Sequence, residues 1–271
     1  MNLIIEEKKR LFFAFDVISP WPEKLPEGKI IPPKMRHLTL VFLGETNFSL
    51  LKKELKNMPL PKFLIAPTGI FDQCYFLPKR GKNVVAWHMQ CLEKEDFIKT
   101  YQKDLQKWAE EKELCKKKEK DFFSHVTLCR KPFLPNDWKK AFSPLPFAIK
   151  SLHLYESLGH SKYVSLKKWS FLSPFEGIFH TADVSYKIRG DDIFSLHLHA
   201  QISLSFYFPP IIQFFTPIKK REKIEDVIID LNALISITDA KIGCPIKAIS
   251  LHGQIKKIKD NILEWEMILD V

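Results

Sequence analysis

Two stretches of the chain carry the same four-residue signature, His37-Leu38-Thr39-Leu40 and His125-Val126-Thr127-Leu128. With 9 His and 8 Thr in 271 residues, random placement gives roughly a quarter of one His-x-Thr pair. None of the other seven His has Thr or Ser two residues later. A strand turns residues i and i+2 to the same face, about 6 to 7 Å apart. Each motif therefore presents an imidazole beside a hydroxyl, while Leu38, Leu40, Val126 and Leu128 face a core. Two such strands brought together make a centre of two imidazoles and two hydroxyls, which suits a phosphodiester. One His can protonate a leaving oxygen while the other takes a proton from an attacking water. The hydroxyls of Thr39 and Thr127 can donate to non-bridging oxygens as charge grows there. A single His-x-Thr on a strand is most often a half-buried polar pair; its duplication reverses that preference. Two His with no carboxylate or Cys nearby make a poor metal set.

Both motifs lie in strand-like apolar runs, Leu38 to Leu43 (ended by Gly44) and Phe122 to Cys129. Leu11–Val17 reads as a further strand, separated from the first motif by a Pro-rich connection from Pro20 to Pro33. Ser49 is a candidate helix cap, with Leu51, Leu55 and Met58 following at helical spacing. The pattern from Phe63 to Leu92 is strand-like, and Val84-Val85-Ala86-Trp87 reads as a buried strand. Phe97, Ile98, Tyr101, Leu105, Trp108 and Ala109 share one helical face, with Lys and Glu opposite. Strands at Ile149–Tyr155 and Tyr163–Leu166 complete this part. Ser173-Pro174 marks a boundary, because proline disfavours continuing an element through it. Beyond it, Ile224, Val227, Ile228, Leu231, Leu234 and Ile235 predict a helix over Glu222–Ile235. Ile246–Ile255 and Leu263–Leu269 read as a hairpin about Lys259-Asp260-Asn261. Leu196–Phe208 fits both the strand and the helix period.

Composition bounds the classes. At 45% hydrophobic, with 22 Phe and 6 Trp, the chain can bury a sizeable core, which excludes wholesale disorder. Its length favours two domains, 1–173 and 174–271. No apolar run approaches the roughly 18 to 20 residues needed to cross a bilayer, so no membrane is expected. Charges at Glu6–Arg10 fall where a signal peptide needs its apolar segment. Five cysteines (Cys74, Cys91, Cys115, Cys129, Cys244) form neither an even set nor a C-x-x-C pair. That argues against a disulfide framework or a Cys-based zinc site and for a reduced, cytoplasmic protein. The net charge is +10, an excess that suggests a polyanionic partner. It is unevenly spread: residues 1–173 hold 31 Lys+Arg against 19 Asp+Glu, a net +12, and residues 174–271 hold 11 against 13, a net −2. The basic run Lys116–Lys120 lies just before the second motif and could steer a polyanion toward it.

The first part resembles the 2H phosphoesterases, specifically the RNA 2′,3′-cyclic phosphodiesterases once called 2′-5′ RNA ligases. The likeness runs through Arg10–Asp16, Arg36–Glu45, Phe123–Arg130 and Leu154–Ser157, with Tyr163 just beyond, and covers about residues 1–172. Ser124 departs from it, since the family usually has Pro before the second His. The resemblance implies an α+β, bilobal fold of two antiparallel-sheet lobes with the cleft between them. It implies His37 as proton donor to the leaving ribose oxygen and His125 as proton acceptor activating water, with a 2′-phosphate product. Thr39 and Thr127 would hold the phosphate with help from Arg130, and no cofactor is needed. The implied partner is RNA bearing a 2′,3′-cyclic phosphate end, such as a tRNA half.

Residues 177–271 resemble a shortened archease, a small α+β module that stimulates the ligase of tRNA splicing and RNA repair. The likeness rests on His180-Thr181-Ala182-Asp183-Val184 with Gly190, on Ile246–Gly253, and on Trp265 to Val271. It implies a calcium-type metal site at Asp183, Asp270 and Val271, a chemistry that oxygen donors suit. It also implies a helix over Leu196–Phe208 and an RNA-splicing ligase as partner. A role of a different class is an accessory protein that binds RNA ends without cleaving them and activates a ligase.

Overall fold

The computed structural model describes residues 8–115, 121–159, 161–179, 184–250 and 254–271. The run Lys116–Lys120, the segment His180–Asp183 and the segment Leu251–Gly253 therefore lie outside the described residues. The first sheet is built about β1 (Lys8–Ile18), which pairs antiparallel with β3 (His37–Asn47) on one side and β7 (Leu145–Ser157) on the other. Leu11 to Phe15 are all 2% exposed or less, the unbroken apolar run that a strand flanked on both faces requires. β2 (Lys29–Ile30), β4 (Thr68–Leu77), β5 (Val84–Cys91), β6 (His125–Arg130) and β8 (Tyr163–Ser170) complete it, in the order β1-β3-β6-β5-β4-β7-β8 with β2 on β6.

The strands fall into two antiparallel groups, β1/β3/β7/β8 and β2/β4/β5/β6. They are not two separate sheets. β3 and β6 join at one pair, Leu38 with Val126, and the first four residues of β7 pair with β4 while the rest pair with β1 and β8. β7 is long enough, at 13 residues, to serve both groups.

Helix α2 (Phe97–Glu111) covers one face of the sheet. Asp96 accepts the Lys99 amide at its N-terminus, and Ile98, Tyr101, Leu105 and Trp108 are buried. Helix α1 (Phe48–Glu54) is capped by Asn47, whose Oδ1 accepts from the Leu50 amide, and not by Ser49 two residues later. In α3 (Pro135–Ala141) the buried Trp138 donates its indole N–H to the Glu27 carbonyl.

A second sheet begins beyond Ser173-Pro174. It holds β9 (Phe175–Phe179), β10 (Val184–Gly190), β11 (Ala248–Ser250), β12 (Lys256–Lys257) and β13 (Leu263–Asp270), in the order β11-β13-β10-β9 with β12 on β13. The expected C-terminal hairpin is different in detail. β13 pairs over seven residues with β10, and its short mates β11 and β12 are two separate pieces. Arg189 ties the sheet to the boundary: its guanidinium bonds Glu264, Glu176 and the Ser173 carbonyl.

Two helices pack on this sheet, α4 (Ile193–Tyr207) and α5 (Ile224–Ile242). The ambiguous segment is thus helical. Its periodicity is mute because α4 is buried almost all round, His197, His199, Gln201 and Ser203 included. Ala148 of β7 belongs to the same apolar cluster as Leu196, Ile202 and Leu231, so α4 lies between the two sheets. A capping box starts it: Asp192 accepts the Ser195 amide and Ser195 Oγ accepts the Asp192 amide. Helix α5 runs seven residues past Ile235, to Gly243 at φ +77°. No helix among the described residues is long and apolar enough to cross a membrane.

Gly69 of β4 sits between β5 and β7, and a Cβ there would lie 2.0 Å from the Gln90 carbonyl oxygen. Gly69→Ala should therefore cost about 1 to 3 kcal/mol of stability, read as a lower denaturant midpoint. A midpoint equal to that of the parent protein would contradict this packing.

Candidate active site

The four motif side chains line one cleft of about 520 Å³, with Arg130 and Tyr163 on its walls. What brings them together is the Leu38–Val126 pair. An antiparallel register centred there sets His37 toward Thr127 and Thr39 toward His125. Both motifs show the same sequence of burial, half-buried His and Thr alternating with buried apolar residues. The Leu that closes each motif is a bulge residue. Between β1 and β3 the register steps over Leu40, and between β5 and β6 it steps over Leu128. An extra residue shifts the alternation by one. Leu40 and Val41 are consequently both buried, as are Leu128 and Cys129, and the next residue turns outward. That next residue is Phe42 in the first motif and Arg130 in the second, and both line the cleft.

The imidazoles are fixed alike. His37 Nδ1 lies 2.8 Å from the Met35 carbonyl, and His125 Nδ1 lies 2.8 Å from the Phe123 carbonyl. A carbonyl only accepts, so Nδ1 carries the hydrogen and Nε2 is the atom left for a ligand. Met35 ends a tight turn that Pro32 and Pro33 stiffen. Rings hold each imidazole in place. His37 meets Tyr163 edge-on at 5.0 Å and Phe12 at 5.2 Å. His125 stacks on Phe123 at 5.4 Å, and Phe123 stacks in turn on His88, which is 2.6 Å from Asp72.

Burial pushes the His37 pKa down to about 4; the Met35 carbonyl opposes this, while His125, Arg130 and His153 add to it. Burial also lowers that of His125, against the Phe123 carbonyl and together with His88. Both imidazoles are thus neutral in the free cleft at pH 7. Arg130 is exposed, and its Nε donates to Ser161 Oγ at 2.9 Å, which ties the guanidinium to the cleft wall.

Phe42, Tyr163 and Ser161 are cleft residues that sequence reasoning did not single out for a role. Phe42 was hidden inside an apolar run because the bulge that exposes it leaves no mark in the one-strand pattern. The implied metal site fares differently. Asp183 lies outside the described residues. Asp270 ends β13 and Val271 follows it; the Lys247 ammonium donates to the Val271 carbonyl at 2.9 Å and lies 3.8 Å from the Asp270 carboxylate. Among the described residues no cluster of three or more His, Cys, Asp or Glu side chains is arranged to hold a metal.

No protein-family model and no curated protein matches the sequence. Solved structures do. One is a phosphoesterase, 23% identical over 61% of this chain and 99% of its own, with a TM-score of 0.45. E. coli LigT complexed with 3′-AMP aligns over the same shares at 23% identity and a TM-score of 0.44. A protein of Thermus thermophilus is 24% identical over 60% of this chain and 98% of its own, at a TM-score of 0.43. What the cleft can do follows from its own residues.

An NMR titration of the ring nitrogens should find both His37 and His125 as neutral Nδ1–H tautomers at pH 7, His37 titrating near pH 4. Inorganic phosphate in the cleft should raise both, because a nearby anion favours the charged imidazole. An Nε2–H tautomer at either position would contradict the assignment.

Proposed function

We propose that the cleft hydrolyses the 2′,3′-cyclic phosphate at an RNA end to a 2′-phosphate. The observation that carries this is the pair of imidazoles on adjacent strands, each tied back through Nδ1 so that Nε2 is free for one shared ligand. His125 Nε2 takes a proton from water as the water oxygen bonds phosphorus. The bond from phosphorus to the ribose 3′ oxygen breaks, and His37 Nε2 gives its proton to that oxygen. The product carries a 2′-phosphate and a 3′-hydroxyl, and the proton on His125 returns to solvent. His37 must be protonated for this, and the phosphodiester anion supplies the missing stabilisation of its charge. Thr39, Thr127 and Arg130 donate to the non-bridging oxygens. The exposed ring of Phe42, at the position equivalent to Arg130, offers a face on which the terminal base can stack. The net +12 of residues 1–173 favours approach of RNA.

Residues 177–271 enter the same reading as an archease-like module. Addition of the full chain should then speed guanylylation of an RNA-splicing ligase, and an unchanged rate counts against that role.

His37→Ala and His125→Ala should each lower kcat/KM on a nucleoside 2′,3′-cyclic phosphate by about 10²- to 10⁴-fold. Full activity in both variants would overturn the reading. The active form carries a proton on one imidazole only, and both pKa values lie below the ordinary 6.5. A plot of kcat/KM against pH should accordingly peak below about 6.5, and a plateau reaching pH 8 would contradict the assignment.

A further inference from the structure

Helix α5 has a face that neither core covers. On one side Ile224, Val227, Leu231, Leu234, Ile235 and Thr238 are buried. On the other, Ile229 is 63% exposed and Ile237 49% exposed, and Ala233, Ser236 and Ala240 are exposed between and beside them. An isolated surface Ile is ordinary. Here two of them flank an Ala on one ridge of every fourth residue, Glu225, Ile229, Ala233, Ile237 and Lys241. That ridge is self-complementary about Ala233: apolar matches apolar four residues away, and acid matches base eight residues away. Glu225 and Lys241 are exposed, and neither forms an ion pair among the described residues. Asp230 on the flank is already held by Arg221, at 2.7 and 2.8 Å.

Inverted complementarity about a single residue is what a two-fold axis demands of an interface. We propose that the chain self-associates through α5, with a second copy of the helix crossing antiparallel at Ala233. Each Ile229 then packs against the partner's Ile237, and each Glu225 reaches the partner's Lys241. Ridges of every fourth residue on both helices interdigitate in this arrangement, the commonest helix packing, at a crossing angle of about −50°. Ala233, at the crossing, lets the backbones approach. A partner of a different sequence would have no use for the inversion. One exposed helix face makes a small interface, so the dissociation constant should be on the order of micromolar.

Sedimentation velocity on the full chain over a concentration series tests this. The parent protein should show a monomer–dimer equilibrium, and Ile237→Glu should stay monomeric throughout. Glu225→Lys and Lys241→Glu should each weaken dimerisation by about tenfold, because each reversal sets two like-charge contacts across the axis. The double variant should regain the parent affinity. A parent protein that remains monomeric overturns the proposal. So does a dimer insensitive to Ile237→Glu, or a double variant no tighter than the single ones. Circular dichroism checks that the variants fold, and none of these substitutions touches the cleft of His37 and His125, so the two proposals stand or fall separately.

Discussion

The cleft depends on one point of contact, the pair between Leu38 of β3 and Val126 of β6. Both residues are fully buried, so the position is anchored by the apolar core and not by the polar groups beside it. Because the pairing is antiparallel, the residues on either side of it alternate, imidazole facing hydroxyl on both flanks. The bulges at Leu40 and Leu128 then bend each strand just past its motif, and β3 and β6 meet at this pair alone. A longer ladder would close the groove that a ligand must enter.

The same arrangement sets the electrostatics. A basic half of the molecule surrounds two imidazoles that burial keeps neutral. Neutral rings avoid mutual repulsion in the empty cleft, and backbone carbonyls hold their orientation without adding a carboxylate. An anion entering the cleft would change this balance by making a protonated imidazole favourable.

The second half is joined to the first by more than its linker. Helix α4 shares an apolar cluster with Ala148 of β7, and its His199 donates through Nδ1 to the Arg189 carbonyl while Nε2 lies 3.8 Å from Glu93. Lys94 reaches Asp192 at 2.8 Å beside it. The two sheets therefore meet through a buried, partly polar seam.

The sequence by itself determined the strands of both motifs and the amphipathic helix α2, because each shows in local periodicity. It also singled out, through the duplicated His-x-Thr-Leu, four side chains that line one cleft. The bulges, the shared outward position of Phe42 and Arg130, and the Nδ1–H tautomers were decided only by tertiary structure. Each depends on a partner strand or a distant carbonyl, and a one-residue bulge reverses every face assignment after it without altering composition. Helix α4 was unreadable for a related reason: an element covered on all sides has no polar face to reveal its period.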